Sequence, residues 1–366
     1  MKFSVNREQI VGPLQQIARI IDKRQACTIL SNVLLQCRDS KLVITATDLE
    51  VKIVIQLNLN DIRVEGNITL DARKVLDICR LLPTGSDIHF DLEGDKINLS
   101  SGSCTYILNT LPADDFPEFN HTEADTCFIV NAGKLKGGLD KTAFCMAINS
   151  ERNYLNGIEM TINDSMLKLV ASDGNRLAVY KEDIGSTGLN AKIIVPKKAV
   201  QELSCLLDGL EEDVEIRVSR NTLEALYKNV VFSSKLVADK FPNFDRIVNQ
   251  LFLKPIIVDR GLLKDSIKRV EVLSNEKYKG VSFDIKSASL KISTDNPEHD
   301  EAEEDLVVDY HGDPISIAFN AKYMLDAVNN IDGKDVKMTV AENTSVCFIE
   351  GQSDSLFWYL VMPMRI

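Results

Sequence analysis

The chain repeats itself, and this repeat limits the folds open to it more than any other feature. The phrase LPADDFPEF at 111–119 returns as LVADKFPNF at 236–244, with six of nine positions identical. Three further stretches, LVITATDLEVKI, LKLVASDGNRLAV and LKISTDNPEHDEAE, share a pattern of alternating apolar residues that leads into Thr or Ser, then Asp, then a polar turn. Solenoid repeats span roughly 20–50 residues, whereas these units span about 122, so we interpret them as tandem domains. The predicted domains are 1–125, 126–250 and 251–366.

Each unit is predicted to be an α+β domain. Segments such as KLVITATD and VKMTVAEN alternate apolar and polar residues, as half-buried strands do, and the strand patterns end at Asp48, Asp173 and Asp295. Other segments place apolar residues at helical spacing. They predict two helices per domain, packed on antiparallel sheets. The predicted helices are 7–24, 71–80, 132–148, 196–208, 259–271 and 320–330.

Several classes of protein are disfavoured by the sequence. The eight cysteines contain no CxxC pair and several stand in apolar periods, so we expect buried free thiols in a reducing compartment. Arg7 and Glu8 lie where a signal peptide needs apolar residues, and the apolar runs fall short of the roughly 20 residues of a membrane helix, so we predict a cytoplasmic protein. No phosphate-loop, GxGxxG, HExxH or GxSxG motif occurs. We therefore predict no enzymatic activity, no catalytic residues, no metal and no cofactor.

Charge is unevenly divided along the chain. The net charge is −12, yet the predicted helices hold 17 Lys and Arg against 11 Asp and Glu, and the rest of the chain holds 25 against 43. Solvated helix faces usually mix both signs, and this accounts for a modest excess. The alternative is that all the helices face one anionic partner while an acidic exterior repels other polyanions.

Several unlinked motifs resemble one family along the full length of the chain. They are MKFSV, TATDLE, YLNG at 154–157, SDGNRLAV at 172–179, FSSKLVADKFP at 232–242, LSNEKYKGV at 273–281 and the closing VMPMRI. The pattern resembles the bacterial DNA sliding clamp, the beta subunit of the replicative DNA polymerase III. The resemblance implies the DNA clamp fold, with two chains closing head to tail into a ring of six domains. Twelve helices of about 10 Å diameter would leave a bore of roughly 28 Å, wide enough for duplex DNA.

The resemblance also implies a function and partners. The chain would be a DNA polymerase processivity factor that slides on double-stranded DNA without reading its sequence. Its protein partners would be the polymerase catalytic subunit, the clamp loader and other proteins with a clamp-binding motif, and no membrane would be involved. The alternative is a monomeric tandem-domain scaffold that binds peptides without encircling DNA. A native mass measurement separates the two, because the scaffold would be one chain and the clamp two.

The resemblance points to residues that would contact DNA. Tyr154 could stack on an exposed base, and Asn153 stands where some relatives carry an aromatic residue. Arg80 and Lys197 are added because they neighbour matching positions. The predicted DNA-binding residues are Arg24, Arg73, Arg80, Asn149, Arg152, Asn153, Tyr154, Lys197 and Lys198.

A hydrophobic cleft for partner peptides is implied between the second and third domains. Met362 and Met364 are flexible thioethers that can repack around different peptides. The alternative for the closing VMPMRI is a last strand that completes a core. The predicted peptide-binding residues are Leu155, Ser172, Gly174, Asn175, Arg176, Leu177, Pro242, Arg246, Ile247, Asn320, Tyr323, Val346, Leu360, Val361, Met362, Pro363, Met364, Arg365 and Ile366.

A seam between domain one of one subunit and domain three of the other is also implied. Both domains supply apolar residues to it, and an acidic run in domain three supplies one side of a charge match. The basic side retains Lys74 and Lys96, whereas Ser103 and Thr105 stand where some relatives carry Arg. We therefore expect closure to depend more on packing and strand pairing than on ion pairs. The predicted interface residues are Lys74, Tyr106, Leu108, Val272, Leu273, Glu298, Glu301, Glu303 and Glu304.

Overall fold

The chain forms two compact units in the computed structural model, which describes residues 1–21, 27–119, 123–248, 252–342, 345–353 and 356–364, without the side chains of 245 and 246. One unit contains Met1–Lys136 and Lys198–Leu236, and the other contains Gly137–Lys197 and Val237–Ile366. Each unit therefore combines one end of the chain with part of the predicted middle domain.

A common order of eight strands and two helices occurs three times, with the short strand Asp61–Val64 added in the first repeat and a third, short helix, Asp245–Val248, added in the second. The first third contains β1 (Lys2–Asn6), α1 (Arg7–Ile17), β2 (Asn32–Arg38), β3 (Lys41–Thr47), β4 (Val51–Asn58), β5 (Asp61–Val64), β6 (Gly66–Asp71), α2 (Ala72–Leu81), β7 (Asp87–Glu93), β8 (Lys96–Ser101) and β9 (Cys104–Asn109). The second contains β10 (Thr126–Asn131), α3 (Ala132–Ala143), β11 (Gly157–Asn163), β12 (Met166–Ser172), β13 (Arg176–Asp183), β14 (Asn190–Pro196), α4 (Lys197–Leu206), β15 (Asp213–Val218), β16 (Thr222–Tyr227), β17 (Val230–Lys235) and α5 (Asp245–Val248). The third contains β18 (Ile256–Asp259), α6 (Arg260–Glu271), β19 (Gly280–Lys286), β20 (Ser289–Asp295), β21 (Glu301–Val307), β22 (Ile315–Asn320), α7 (Ala321–Asn330), β23 (Asp335–Val340), β24 (Cys347–Gly351) and β25 (Phe357–Val361).

Antiparallel sheets carry the three repeats. The first unit has sheets of order β5-β1-β7-β8-β9 and β10-β15-β16-β17-β4-β3-β2-β6, and the second has β14-β11-β12-β13-β25-β24-β23-β18 and β21-β20-β19-β22. Each eight-stranded sheet joins four strands of one repeat to four of the next, through β17–β4 in one unit and β13–β25 in the other. The predicted α+β class is confirmed.

Local sequence explains where strands give way to helices. Most strands bury every second residue, as in β1 and β23, because successive side chains point to opposite faces. An Asn or Asp then stands at the junction with the helix and accepts a backbone N–H of the first turn, which would otherwise lack a partner. These residues are Asn6, Asp71, Asn131, Asp259 and Asn320.

Two predicted helices are shorter than expected. The helix predicted over 7–24 ends at Ile17, and Ile20 and Ile21 are buried in the turn that follows rather than in a longer helix. The helix predicted over 132–148 ends at Ala143, and the Ala147 N–H donates to the Leu155 carbonyl. Apolar residues that follow each helix are therefore also buried, and their spacing made the predicted helices too long. No helix in the described ranges combines the length and hydropathy needed to cross a bilayer.

The strand pattern ending at Asp295 is displaced by one residue in the third repeat. Asp48 and Asp173 each begin a turn, and their Oδ1 atoms accept two backbone N–H groups. Asp295 is instead the last residue of β20, opposite Glu301, and Asn296 plays the turn role by accepting the N–H groups of Glu298 and Asp300. The third turn is longer, and this moves its side-chain cap by one position.

Buried thiols provide a test of the core. The expectation of buried thiols is confirmed for Cys37, Cys79, Cys145 and Cys347 and wrong for Cys27, Cys104, Cys127 and Cys205, which are exposed. Burial raises the pKa of both Cys79 and Cys347 to about 12. The thiolate is the reactive form, so we expect the four buried thiols to react with a disulfide reagent at pH 8 at least about 100-fold more slowly than the exposed Cys205. Rates are read by peptide mass mapping of the native protein. Equal rates for Cys347 and Cys205 would contradict the burial.

Candidate functional site

The connecting segment after β17 packs on one face of the eight-stranded sheet of the second unit. Phe241 is buried in a cluster with Leu177 and Val179 of β13 and Trp358 and Leu360 of β25. Partly buried Tyr154, Phe244, Ile247, Val248 and Phe252 pack against this cluster. The repeated phrase is therefore the segment that leaves one repeat and covers the junction with the next.

An apolar groove remains open beside this segment, with a cavity volume of about 170 Å³. β13 and β25 contribute Leu177 and Leu360, and the residue after β25, Met362, keeps 43% of its surface exposed. The groove is lined by Arg152, Tyr154, Leu155, Ser172, Gly174, Asn175, Arg176, Leu177, Phe241, Pro242, Asn243, Phe244, Ile247, Val346, Leu360 and Met362. A concave apolar surface with a few polar groups at its rim is typical of a ligand site.

One rim is a tight turn between β12 and β13. Asp173 Oδ1 accepts the N–H groups of Asn175 and Arg176 at 2.9 and 3.2 Å, and the Ser172 hydroxyl donates to the Arg176 carbonyl at 2.6 Å. Gly174 has φ +95°, a left-handed conformation that glycine adopts without a Cβ clash. The Asn175 carbonyl also accepts the Met362 N–H at 2.8 Å, which fixes the tail against the turn.

Arg176 connects this rim to α7 and to the residue that follows α3. Its buried guanidinium donates to Asp173 at 2.8 Å, to Asp326 of α7 at 2.6 Å and to the Phe144 carbonyl at 2.8 Å. It also lies 4.2 Å from the centroid of the Tyr323 ring. Burial opposes the positive charge, but the hydrogen bonds to Asp326 and Asp173 help to raise the Arg176 pKa above its ordinary value. The side chain therefore stays charged and serves as a structural bridge.

Most of the predicted cleft residues line the groove. Those that do are Leu155, Ser172, Gly174, Asn175, Arg176, Leu177, Pro242, Ile247, Val346, Leu360 and Met362. Tyr323 does not line the groove but packs against Arg176, which does, and Asn320 caps α7. Val361 is buried in β25, Pro363 follows Met362, and Met364 lines a different cavity. The Arg246 side chain, Arg365 and Ile366 lie outside the described residues.

The sequence reasoning missed Phe241, Asn243 and Phe244 as groove residues. All three belong to the repeated phrase LVADKFPNF, of which only Pro242 was predicted to bind a peptide. Their aromatic rings are placed by contacts with Tyr154, at 6.2 Å from Phe241, and with Trp358, at 6.4 Å from Phe244. The sequence signal for these aromatics is their recurrence at the same places in both copies of the phrase, Phe116 with Phe241 and Phe119 with Phe244.

The matching phrase in the first unit covers a less apolar surface. Phe116 is buried like Phe241, but the ring of Phe119 lies under two ammonium groups, Lys52 Nζ at 5.7 Å and Lys235 Nζ at 6.0 Å. By strand register Lys52 occupies the place of Leu177, since each lies opposite the last residue of the preceding strand. One phrase therefore gives two surfaces of different chemistry.

The predicted DNA-binding residues lie in several places. In the first unit, Arg73 and Lys198 donate to the carbonyls of Ile21 and Ile20, and Lys198 also pairs with Asp48. Arg80 is exposed on α2, and Lys197 begins α4. Asn149 and Asn153 are exposed in the second unit, while Arg152 and Tyr154 line the apolar groove. Arg24 lies outside the described residues.

The predicted interface residues lie mainly on or beside two outer strands. In the first unit, β9 carries Tyr106 and Leu108 at the sheet edge, and Lys74 is exposed on α2. In the second unit, β21 is also an edge and carries Glu301, Glu303 and Glu304, while Glu298 lies in the turn before it and Val272 and Leu273 follow α6. Within the described chain Glu304 pairs with Arg269 and Glu303 with Lys291. Part of the acidic charge is therefore already neutralised by the chain itself.

Family models match nearly the whole chain. They are the N-terminal domain of the DNA polymerase III beta subunit at residues 1–120, its central domain at 129–243 and its C-terminal domain at 246–365.

Relatives and solved structures agree with this. The beta sliding clamp of Vibrio cholerae is 37% identical and that of Escherichia coli K12 is 38% identical, each with both chains fully covered. The crystal structure of DNA polymerase III subunit beta from Pseudomonas aeruginosa superposes with a TM-score of 0.98 at 36% identity over all of both chains. The same subunit from that organism has been solved bound to griselimycin, with a TM-score of 0.96. The chain therefore belongs to the family of the DNA polymerase III beta subunit, the beta sliding clamps, and has the three-domain clamp fold.

Proposed function

We propose that two copies of this chain close into a ring around duplex DNA, slide along it, and tether polymerases through the apolar groove. Proteins of this family are processivity factors and not enzymes. The observation that carries the proposal is the open apolar groove at the junction of two repeats, in a chain that matches clamps over its whole length. A clamp needs one surface that holds partners and another that lets DNA pass.

The groove has the chemistry for short peptides that contain Gln and Leu or Phe. Leu155, Leu177, Pro242 and Leu360 give apolar walls, so that burial of a Leu or Phe side chain contributes about 1.5–3 kcal/mol. Met362 can adapt to different side chains because its thioether is unbranched and flexible. The backbone and side-chain polar groups at the Ser172–Arg176 rim can hold the polar end of a peptide. The proposed partners are the polymerase catalytic subunit, the clamp loader and other clamp-binding proteins.

The internal repeat supplies a physical rule for ring closure. Within the chain, β4 of the first repeat pairs with β17 of the second, and β13 of the second pairs with β25 of the third. The strands in the same places are β21 of the third repeat and β9 of the first, and each is the outer strand of its sheet. If β21 of one copy pairs with β9 of another, the same junction forms between the two copies. Two such pairings join two copies head to tail, and both of these outer strands are then paired in each copy.

The repeat also fixes a register for this seam. Glu301 lies opposite the last residue of β20, as Lys52 lies opposite the last residue of β3. Cys104 begins β9 after a two-residue turn, as Val230 begins β17. Because Val230 pairs with Ile55, the corresponding pair across the seam is Cys104 with Glu304. Residues directly opposite each other in an antiparallel pair have Cα atoms about 4.5–5.5 Å apart, within disulfide range.

Replacing Glu304 with cysteine is therefore expected to cross-link two copies through the native Cys104. Mild oxidation of the Glu304→Cys variant should convert most of the protein into a covalent dimer on a non-reducing gel. The Glu304→Cys, Cys104→Ser double variant should stay monomeric on that gel, and so should Glu303→Cys, whose side chain points to the other face of the strand. Cross-linking by Glu303→Cys in place of Glu304→Cys would exclude this register.

Confinement by the ring, and not adhesion, would keep the clamp on DNA. Non-specific protein–DNA binding at physiological salt has a Kd of about 10⁻⁴–10⁻⁶ M, too weak to hold a nanomolar clamp in place. The predicted DNA-binding residues would supply weak contacts that exchange through water and counterions. Sequence-independent sliding then follows, since breaking each contact requires little energy.

A loaded clamp is accordingly expected to remain on circular plasmid at about 150 mM salt and to leave within seconds of linearisation. The two forms present the same phosphates, so that the difference measures topology alone. Retention is followed by gel filtration of labelled clamp, with a nicked circle as the control for the effect of a strand break. Equal retention on circular and linear DNA would refute the ring.

Two further assignments are part of the proposal. The proposed domain boundary near 125/126 is supported by the gap between the family matches that end at 120 and resume at 129. The proposed boundary near 250/251 lies a few residues inside the third match, which begins at 246. A cytoplasmic location is supported by the free cysteines and by the place of the family in DNA replication.

A further inference from the structure

A second cavity, of about 470 Å³, lies in the second unit at the end of the four-stranded sheet. Residues lining it include Asn275, Tyr278, Asp295, Asn296, His299 and Met364, and we call this surface the polar groove. Tyr278 keeps 55% of its surface exposed. The proposed function uses none of this surface for peptides.

The polar groove repeats the architecture of the apolar groove. β19 begins at Gly280 as β11 begins at Gly157, so Tyr278 stands where Leu155 does. Asp295 closes β20 opposite Glu301 as Ser172 closes β12 opposite Leu177.

The turns and the tail correspond in the same way. His299 lies two residues before Glu301, in the place that Asn175 holds before Leu177. The Met364 N–H donates to the Ala318 carbonyl of β22, as the Val237 N–H donates to the Ile194 carbonyl of β14. The third repeat therefore carries its own copy of one wall of the groove.

The chemistry of this copy is different. A carboxylate, Asp295, replaces the hydroxyl of Ser172, and amides and an imidazole line the turn. Glu298 and Asp300 add two exposed carboxylates to the same turn. No Lys or Arg is among the described lining residues, and Lys277, next to the groove, places its Nζ atom 5.2 Å from the centroid of the Tyr278 ring. This surface favours a cationic ligand that also has an apolar part to pack on Tyr278 and Met364.

We propose that the polar groove is a second peptide site, for segments that carry Lys or Arg, and that a second copy of the chain completes it. The inference rests on the proposed function, since the apolar groove is its template. There the second wall comes from the next repeat through β25; here it would come from β9 of a second copy, whose Ile107 and Asn109 correspond by register to Leu360 and Met362. Ile107 is 67% exposed within one chain, as an unfilled junction requires.

The test uses a fluorescein-labelled peptide, acetyl-Lys-Lys-Phe-Lys-Lys-amide, titrated with the full-length dimer and followed by anisotropy. Loss of a hydrogen bond to a charged group weakens binding by about 10–100-fold, so Asp295→Asn is expected to bind at least about tenfold more weakly than wild type. Asp284→Asn, which removes a carboxylate from β19 outside the groove, should bind as wild type. Ile107→Asp should also weaken binding if a second copy completes the site.

Three outcomes overturn the inference. Binding unchanged in Asp295→Asn removes the polar groove as the site, and binding unchanged in Ile107→Asp removes the second copy from it. Loss of the cationic peptide on Met362→Asp, which alters the apolar groove, would assign it there instead. Failure of a Gln/Leu/Phe peptide to bind wild type would refute the proposed function separately, since that result leaves the cationic titration unaffected.

Discussion

Replacing Arg176 with methionine is expected to lower the free energy of unfolding by about 3–5 kcal/mol. The substitution keeps the apolar stem but leaves the carboxylates of Asp173 and Asp326 and the Phe144 carbonyl without their donor. Charges that lose their partner in a partly buried site are costly because water cannot replace the lost contact fully. Thermal unfolding at a fixed protein concentration measures the loss, and titration with a Gln/Leu/Phe peptide measures the accompanying damage to the groove rim.

Arg217→Met is the matched control for this prediction. Arg217 also pairs with a carboxylate at 2.8 Å, that of Glu215, but these two side chains keep 39% and 37% of their surface exposed, so that the loss of the pair should cost less than about 1 kcal/mol. The triple variant Arg176→Met, Asp173→Asn, Asp326→Asn should recover much of the stability, because it removes the stranded charges. Equal destabilisation by Arg176→Met and Arg217→Met would show that the buried bridge is not a structural tie.

Replacing Met362 with aspartate is expected to weaken binding of a Gln/Leu/Phe peptide by at least about 30-fold. The substitution removes an adaptable apolar wall and puts a carboxylate where a Leu or Phe side chain would exclude water, at a cost of at least about 2 kcal/mol. Fluorescence anisotropy with a labelled polymerase peptide measures the change. The dimer should be unaffected, since Met362 is on neither β9 nor β21.

Met166→Asp controls for the charge and for the loss of a methionine. Met166 is 38% exposed, close to the 43% of Met362, but it begins β12 outside the groove. Its variant should bind the peptide as wild type does. An unchanged affinity in Met362→Asp would remove the groove from the proposed function.

Much of the local structure could be read from the sequence because its causes are local. An Asn or Asp before a helix and alternating burial along a strand need no distant contact, and the helices at 260–271 and 321–330 begin one residue from their predicted starts. Prediction was weaker at helix ends, where Ile20, Ile21 and Ala147 are buried by contacts outside the helix. Those contacts decide whether an apolar period continues as a helix.

The candidate site was only partly predictable, because some of its residues are brought together by contacts between distant segments. The resemblance gave Leu177, Leu360 and Met362, but it could not show that Phe241 and Phe244 close the groove, or that Met364 belongs to another cavity. Phe119 and Phe244 occupy the same place in one repeated phrase. Lys52 and Lys235 cover the first ring, and these lysines lie about 70 and 115 residues from it along the chain.

The sequence by itself determined that the chain is three α+β repeats, because period, strand alternation and helix caps are written in neighbouring residues. Only the tertiary structure decided at which copy of the repeated phrase an open apolar groove forms. A groove forms where strands from different repeats meet, as β13 meets β25, and its chemistry depends on side chains that are far apart in sequence. The repeated phrase occurs twice, but only the copy at 236–244 borders the apolar groove described here. The difference arises from packing between distant segments, which no local pattern encodes.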